Sequence, residues 1–235
     1  MVSGERLLLI AAEPREFSGL VRFCRNLKPL AWPVYWARSA DLNGREVLLM
    51  ANGAGRRRAA EAVDVARSMS KLDLICNMGF CGALENGMGI GDIFVAGRVQ
   101  SGDADYVAVQ PKSKHPFHAG VLASIDRVAQ TAEEKSDLRA SGASAVEMEA
   151  AGVAAKAAEL GVPFYCVRSV TDLPDETFGL DFNAALRPDG RFDTMRLIAA
   201  SCRRPLHLLP ELVRLGMRCR IASRTLGEFV ADCRF

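Results

Sequence analysis

The amino-acid sequence predicts an α/β protein built on a mainly parallel sheet with helices on both sides. Three observations carry this expectation. Short apolar runs bounded by Gly, Pro or Asp recur along the chain, the signature of strands covered on both faces. Helical patterns fall between or after them. The chain has 235 residues, 49% hydrophobic and 25% charged, which suits one large domain and excludes a disordered or fibrous chain.

In chain order, strands are expected at 7–12, 47–51, 72–78, 93–96, 144–148 and 164–170. Helices are expected at 56–69 and 149–160. The first carries Ala59, Ala60, Ala62, Val63 and Ala66 on an apolar stripe. The second is alanine-rich and stops at Gly161, with Pro163 beyond. The polar, Gly- and Pro-containing segment Ser101–His118 reads as a loop able to cover a site. From Arg191 to Phe235 there are nine basic and four acidic residues, with leucines among the arginines. This basic C-terminal extension, 191–235, reads as amphipathic helix, and Pro205 and Pro210 are expected to break it into short pieces. The whole is expected to be a single domain, 1–235.

The opening Met1-Val2-Ser3-Gly4-Glu5-Arg6 and the six apolar residues after it end at Glu13-Pro14. That run is too short for a signal peptide, and no run reaches the roughly 20 residues that span a bilayer. Seven cysteines lack CxxC spacing, and the three histidines do not cluster with them. Reduced thiols in a cytoplasmic protein, with no metal site, are expected. The formal charge of +2 argues against a nucleic-acid binder.

Three carboxylates fall at expected strand ends: Glu16, Glu149 and Asp172. In an open α/β sheet, ligands bind outside the carboxyl ends of the strands. If the strands are parallel, all three acids project toward one crevice. Any one of them alone is what a helix start favours; three at one sheet edge point to a site.

Four segments then carry a specific resemblance. Asn77-Met78-Gly79-Phe80-Cys81-Gly82-Ala83-Leu84 reads as a Gly-rich turn after a strand, and Gly89-Ile90-Gly91-Asp92-Ile93-Phe94-Val95 follows it. Ala145-Val146-Glu147-Met148-Glu149-Ala150-Ala151 and Val167-Arg168-Ser169-Val170-Thr171-Asp172 come later, in order. Together they resemble the superfamily of purine nucleoside phosphorylases and methylthioadenosine/S-adenosylhomocysteine nucleosidases, over about residues 1–175. Gly53-Ala54-Gly55-Arg56 looks like that family's small turn ahead of a helix.

The resemblance implies a three-layer domain with a central mixed, mainly parallel twisted sheet. It also implies cleavage of the N-glycosidic bond of a 5′-substituted adenine nucleoside. By its matched positions Asp172 helps protonate the purine, Glu149 holds the ribose hydroxyls beside the developing positive charge, and Glu16 activates water. General acid–base help of this kind is worth about 10²–10⁴-fold. Met148 is expected against the sugar, and Glu147, Phe80, Cys81, Gly82, Val128 and Ala129 around the substrate. Phe80 stands where nucleosidases commonly have a small hydroxyl residue. Val128 and Ala129 fall where the family often places a phenylalanine against the purine.

Gly55 and Arg56, at a helix start, are candidates for an anion such as phosphate. No cofactor is implied; inorganic phosphate is a co-substrate only if the reaction is phosphorolysis, which the residues leave open. A homo-oligomer is expected from the resemblance. The tail, with Leu186-Arg187-Pro188-Asp189-Gly190-Arg191 before it, looks like the hopanoid-associated branch, which implies an adenosyl-hopane substrate and peripheral membrane contact. Packing of the tail on the core or on a second subunit is the plainer reading. The alternative function is a nucleoside- or lipid-binding module without catalysis. A dinucleotide-binding domain is disfavoured, because Ala11-Ala12-Glu13-Pro14 replaces the glycine turn after the first strand.

Overall fold

The structure, a computed structural model, describes residues 5–235; the first four residues of the segment read for a leader lie outside the described residues. Ten strands form one mixed sheet. They are β1 (Leu7–Ala11), β2 (Cys24–Pro29), β3 (Trp36–Leu42), β4 (Arg45–Ala51), β5 (Leu74–Ala83), β6 (Ile93–Ser101), β7 (Ala104–Val107), β8 (His118–Ser124), β9 (Ala145–Glu147) and β10 (Phe164–Asp172). The helices are α1 (Arg56–Met69), α2 (Ala132–Ala140), α3 (Ala150–Leu160), α4 (Phe182–Ala185), α5 (Thr194–Arg203) and α6 (Pro205–Asp232).

Buried alternation on both faces makes β1, β4, β5 and β10 the hydrophobic spine; every residue of β1 and β10 is buried. β1 runs parallel to β4 and β5, and β5 parallel to β10. Antiparallel pairings hold β3 to β4, β2 to β3 and β10 to β6. The pairings β5–β10, β10–β6, β6–β8, β8–β9 and β9–β5 close five strands into a ring. The expected mixed α/β sheet is present, with this closure added.

One face of the sheet is covered by α1 and α3, whose alanines and valines join Leu8, Ile10, Ile75 and Phe94 in one core. The two helices come close enough that a Cβ on Gly152 would lie 2.0 Å from the Arg56 carbonyl oxygen. The other face is covered by the C-terminal half of α6, through Leu226, Phe229 and Val230.

Three expectations are corrected. Residues 77–83 are not a turn after a strand but the second half of β5, because Gly79 and Gly82 make room for side chains without leaving the extended path. The tail is broken once rather than into short pieces: α5 ends at Arg203 and α6 begins at Pro205, whereas Pro210 does not interrupt the 28-residue α6. Pro205 occupies its first turn, where its missing N–H has no partner to lose, and Pro210 forfeits one backbone bond near the start. The segment 101–118 is not a cover over the cavity. Ala104–Val107 returns along β6, Val109 bridges to Tyr165 and Lys112 to Arg234, and none of these residues lines the cavity described below.

Candidate active site

A cavity of about 290 Å³ opens where the sheet splits. On one side of β5, pairing to β1 ends at Asn77 and pairing to β9 begins at Gly82. The backbone between them needs another partner, and Glu16 supplies it. Its Oε1 accepts from the Phe80 N–H at 3.0 Å, and its Oε2 from the Glu13 N–H at 2.7 Å. Glu16 stands on the single-turn 3₁₀ helix Pro14–Phe17 that follows β1. Its burial raises its pKa above the usual carboxylate value.

Glu149 enters from the start of α3 and is buried. Its Oε1 accepts from the Gly55 N–H at 2.9 Å, which is why Gly55, at φ 103°, must present its amide away from α1. Burial first, and then the nearby Glu147 carboxylate, push the Glu149 pKa up to about 8. Glu147 is committed elsewhere. It accepts from the Glu149 N–H at 2.8 Å and from the Ala150 N–H, and it pairs with the Arg168 guanidinium. Arg168, 1% exposed, also donates to Asn77 Oδ1. This one buried cation offsets the burial cost of the surrounding carboxylates. Gly79 is required here: a Cβ would lie 2.5 Å from Arg168 Nη1 and 2.7 Å from Glu16 Oε1.

Asp172 ends β10 with its carboxylate at the cavity. Its Oδ2 lies 2.6 Å from Lys135 Nζ, and its Oδ1 accepts from Thr171 Oγ1 at 3.1 Å. A Cβ on Gly82 would sit 2.7 Å from Oδ2, so this glycine keeps the carboxylate in place. Met148, Phe80, Cys81, Val128 and Ala129 line the wall as well. Asn183 clamps Val128 by two hydrogen bonds, 2.8 and 3.0 Å long.

Glu16, Glu149 and Asp172 therefore share one cavity, as do the seven substrate-contact candidates. Glu16 and Asp172 follow β1 and β10, which both run parallel to β5, whereas Glu149 follows β9, which is antiparallel to β5, so parallel strands gather two of the three acids. Gly55 and Arg56 stand outside the lining. The Gly55 amide is given to Glu149, and the Arg56 guanidinium to Asp126 at 2.8 Å. Among the described residues, no group of three His, Cys, Asp or Glu is placed to hold a metal ion.

Sequence reasoning missed Lys135, and it missed the apolar end of the cavity. Phe178, Phe182, Phe192, Leu197, Leu212 and Leu215 line it, from the segment after β10 and from α5 and α6. The only sequence signal for this end is that the phenylalanines follow Asp172 closely.

Three buried acids thus meet at one cavity, at the point where an α/β sheet splits. A model of the phosphorylase superfamily matches residues 107–191. The 5′-methylthioadenosine/S-adenosylhomocysteine nucleosidase of Actinobacillus succinogenes is 30% identical over 203 residues, 73% of this chain and 84% of that one. The nucleosidase of the same description from Staphylococcus saprophyticus is 30% identical over 174 residues, 62% of this chain and 76% of that one. A nucleosidase of this description from Neisseria meningitidis, solved with methylthio-immucillin-A, has a TM-score of 0.73 at 19% identity, over 97% of each chain. The chain belongs to the phosphorylase superfamily, with the methylthioadenosine/S-adenosylhomocysteine nucleosidases among its relatives.

Proposed function

We propose that this protein is an enzyme that hydrolyses the N-glycosidic bond of a 5′-substituted adenine nucleoside and releases adenine. The observation that carries the reading is the meeting of Glu16, Glu149 and Asp172 in one cavity. Breaking this bond builds positive charge on the ribose and negative charge on the purine. Glu149 lies beside the sugar, hydrogen-bonds its hydroxyls and, in its ionised form, stabilises the cation. Asp172 serves the departing base. Glu16 takes a proton from the attacking water, and its burial makes it a stronger base than an exposed glutamate. Met148 packs on the sugar, and Phe80 and Phe178 offer the base aromatic surface where Val128 and Ala129 do not.

Water as the nucleophile is supported by how the arginines are engaged. Arg15 and Arg127, which line the cavity, are paired with Glu13 and Glu134. Arg56 and the Gly55 amide are occupied as described. The test is adenine release from 5′-methylthioadenosine in phosphate-free buffer. Turnover undiminished by omitting phosphate is expected; strict dependence on phosphate would make the protein a phosphorylase. Binding of adenine with no turnover of any adenosyl compound would leave a binding module.

We further infer a bulky apolar 5′ substituent, with an adenosyl-hopane as the fitting case. The cavity continues past the carboxylates into the wall of Phe182, Phe192, Leu197, Leu212 and Leu215, a surface a methylthio group would leave largely uncovered. The outer face of the same two helices is apolar and exposed, at Met195, Leu206, Val213 and Met217. It supports peripheral contact with a lipid surface. No helix among the described residues is long and apolar enough to cross a membrane. Cytoplasmic placement and a homo-oligomer belong to the same proposal.

A further inference from the structure

The carboxylate assigned to the leaving base is not free. Lys135 stands on α2, in a stretch of glutamates, serine and aspartate, yet its side chain is fully buried. Its ammonium has two polar partners and one aromatic neighbour. One N–H points at Asp172 Oδ2, 2.6 Å away. Another is donated to the Leu173 carbonyl at 2.8 Å. The ammonium also sits over the Phe178 ring, 5.2 Å from its centroid, and Phe178 is itself a cavity wall. The capping box of α2, in which Thr131 Oγ1 accepts from the Glu134 N–H at 3.1 Å, fixes the turn that carries Lys135. A lysine is buried this completely only when paired.

The charged and titratable neighbours of the pair are few. Glu176 and Arg218 form their own ion pair at 2.7 Å, one after β10 and one on α6. Cys81 on β5 and Cys219 on α6 also feel the Asp172 charge. None of these stands between Lys135 and Asp172.

We propose that Lys135 is a positioning residue and proton source that acts through Asp172. The inference rests on Asp172 serving the leaving base. An aspartate paired with an ammonium has no proton of its own to give. As the bond between the ribose carbon and the purine nitrogen breaks, its electron pair goes to the purine. Lys135 Nζ–H gives a proton to Asp172, which passes it to the purine. Water adds to the ribose carbon and its proton passes to Glu16. Lys135 ends neutral and Glu16 protonated; proton exchange with solvent restores both. Total charge is unchanged throughout.

Four proteins test this with 5′-methylthioadenosine: wild type, Lys135→Met, Lys135→Arg and Asp172→Asn, each with a thermal melt. A fifth, Lys135→Met with Asp172→Asn, removes both charges together and folds where a lone buried carboxylate would not. Asp172→Asn and Lys135→Met are each expected to lower kcat by about 10²-fold or more, with KM changed only a few-fold. The double variant should be no slower than Asp172→Asn, since the two residues act in series. Lys135→Met should change the kcat–pH profile, which a merely structural role would leave in place. Arginine keeps the charge but cannot release a proton, so Lys135→Arg should bind substrate without recovering kcat. Wild-type kcat in Lys135→Arg, or losses that multiply in the double variant, overturns the relay. Wild-type kcat in Lys135→Met with a slow Asp172→Asn overturns any role for Lys135. An active Asp172→Asn instead removes Asp172 from the mechanism.

Discussion

Glu149 shows most directly how one residue's surroundings reach into measurable behaviour. It takes a hydrogen bond from Gly55, which favours its charged form, but burial and the Glu147 carboxylate outweigh that bond. Its folded pKa, about 8, lies above the ordinary value of 4.5. Between those two pH values the folded protein therefore holds a proton that the unfolded chain has released. Stability then falls as pH rises through that window, with a slope of at most about 1.4 kcal/mol per pH unit. Glu16 is raised as well and acts in the same direction. Melting curves from pH 5 to pH 8 should show the wild type losing stability steadily and Glu149→Gln losing less. A variant as steep as the wild type would mean that Glu149 is ionised throughout. Legibility also divides at this scale. The three acids could be read from sequence because each falls at or just beyond an expected strand end, and a carboxylate there has a topological meaning. Lys135 could not. Among the polar residues of Ala132–Ala140 a lysine has the signature of a solvated face, and only the tertiary fold shows that it points inward.

At the scale of elements, α6 is fastened at one end. Gly19 and Gly227 face each other so closely that a Cβ on Gly227 would lie 2.2 Å from the Gly19 carbonyl carbon. Ser223 Oγ adds bonds to the Gly19 N–H at 3.1 Å and to the Arg15 carbonyl at 2.9 Å. The helix that covers the sheet thus also holds the short turn that carries Glu16. Gly227→Ala should force the two apart, costing about 1–3 kcal/mol as overpacking does, and should slow adenine release by moving Glu16. Gly216→Ala, on the same helix with nothing within 4 Å of its Cβ position, should instead stabilise by up to about 1 kcal/mol. Equal shifts in the two melts would deny the anchor. Elements were legible where packing imposes a period. The buried strands and the alanine stripe of α1 follow the pattern, whereas β2 is almost wholly solvent-facing and leaves no apolar run. The length of α6 was misread because a proline was weighed by its local rule, without the core contacts at the far end that hold the helix together.

Across the whole molecule, the outer surface of α5 and α6 has an inverted character. Leu206 is 86% exposed, Val213 60% and Met217 54%, one above another at helical spacing. Around them Arg204, Arg214 and Arg220 are exposed too. Between Thr194 and Gly227 the only acidic residue is Glu211, and it is turned toward the Gly179 and Leu180 amides. An apolar stripe rimmed by cations fits an anionic bilayer better than water. A fully buried Leu, Val or Met side chain is worth about 1.5–3 kcal/mol, and each arginine near an anionic surface about 1 kcal/mol. On the proposed lipid contact, partial immersion of three such side chains should give reversible docking, stronger on charged lipid. The protein should sediment with phosphatidylglycerol vesicles, less with phosphatidylcholine ones, and less in high salt. Changing Leu206, Val213 and Met217 together to serine should weaken sedimentation at least tenfold. None of the three lines the cavity, so turnover of water-soluble 5′-methylthioadenosine should stay at the wild-type rate. Sedimentation insensitive to the triple change would place lipid contact elsewhere. A wild type that ignores vesicles but forms a dimer, set against a monomeric triple variant, would assign this face to a second copy of the chain. The same two helices bound the apolar end of the cavity, so on the proposed lipid contact a substrate with a membrane-embedded 5′ group would meet its site beside the docking face.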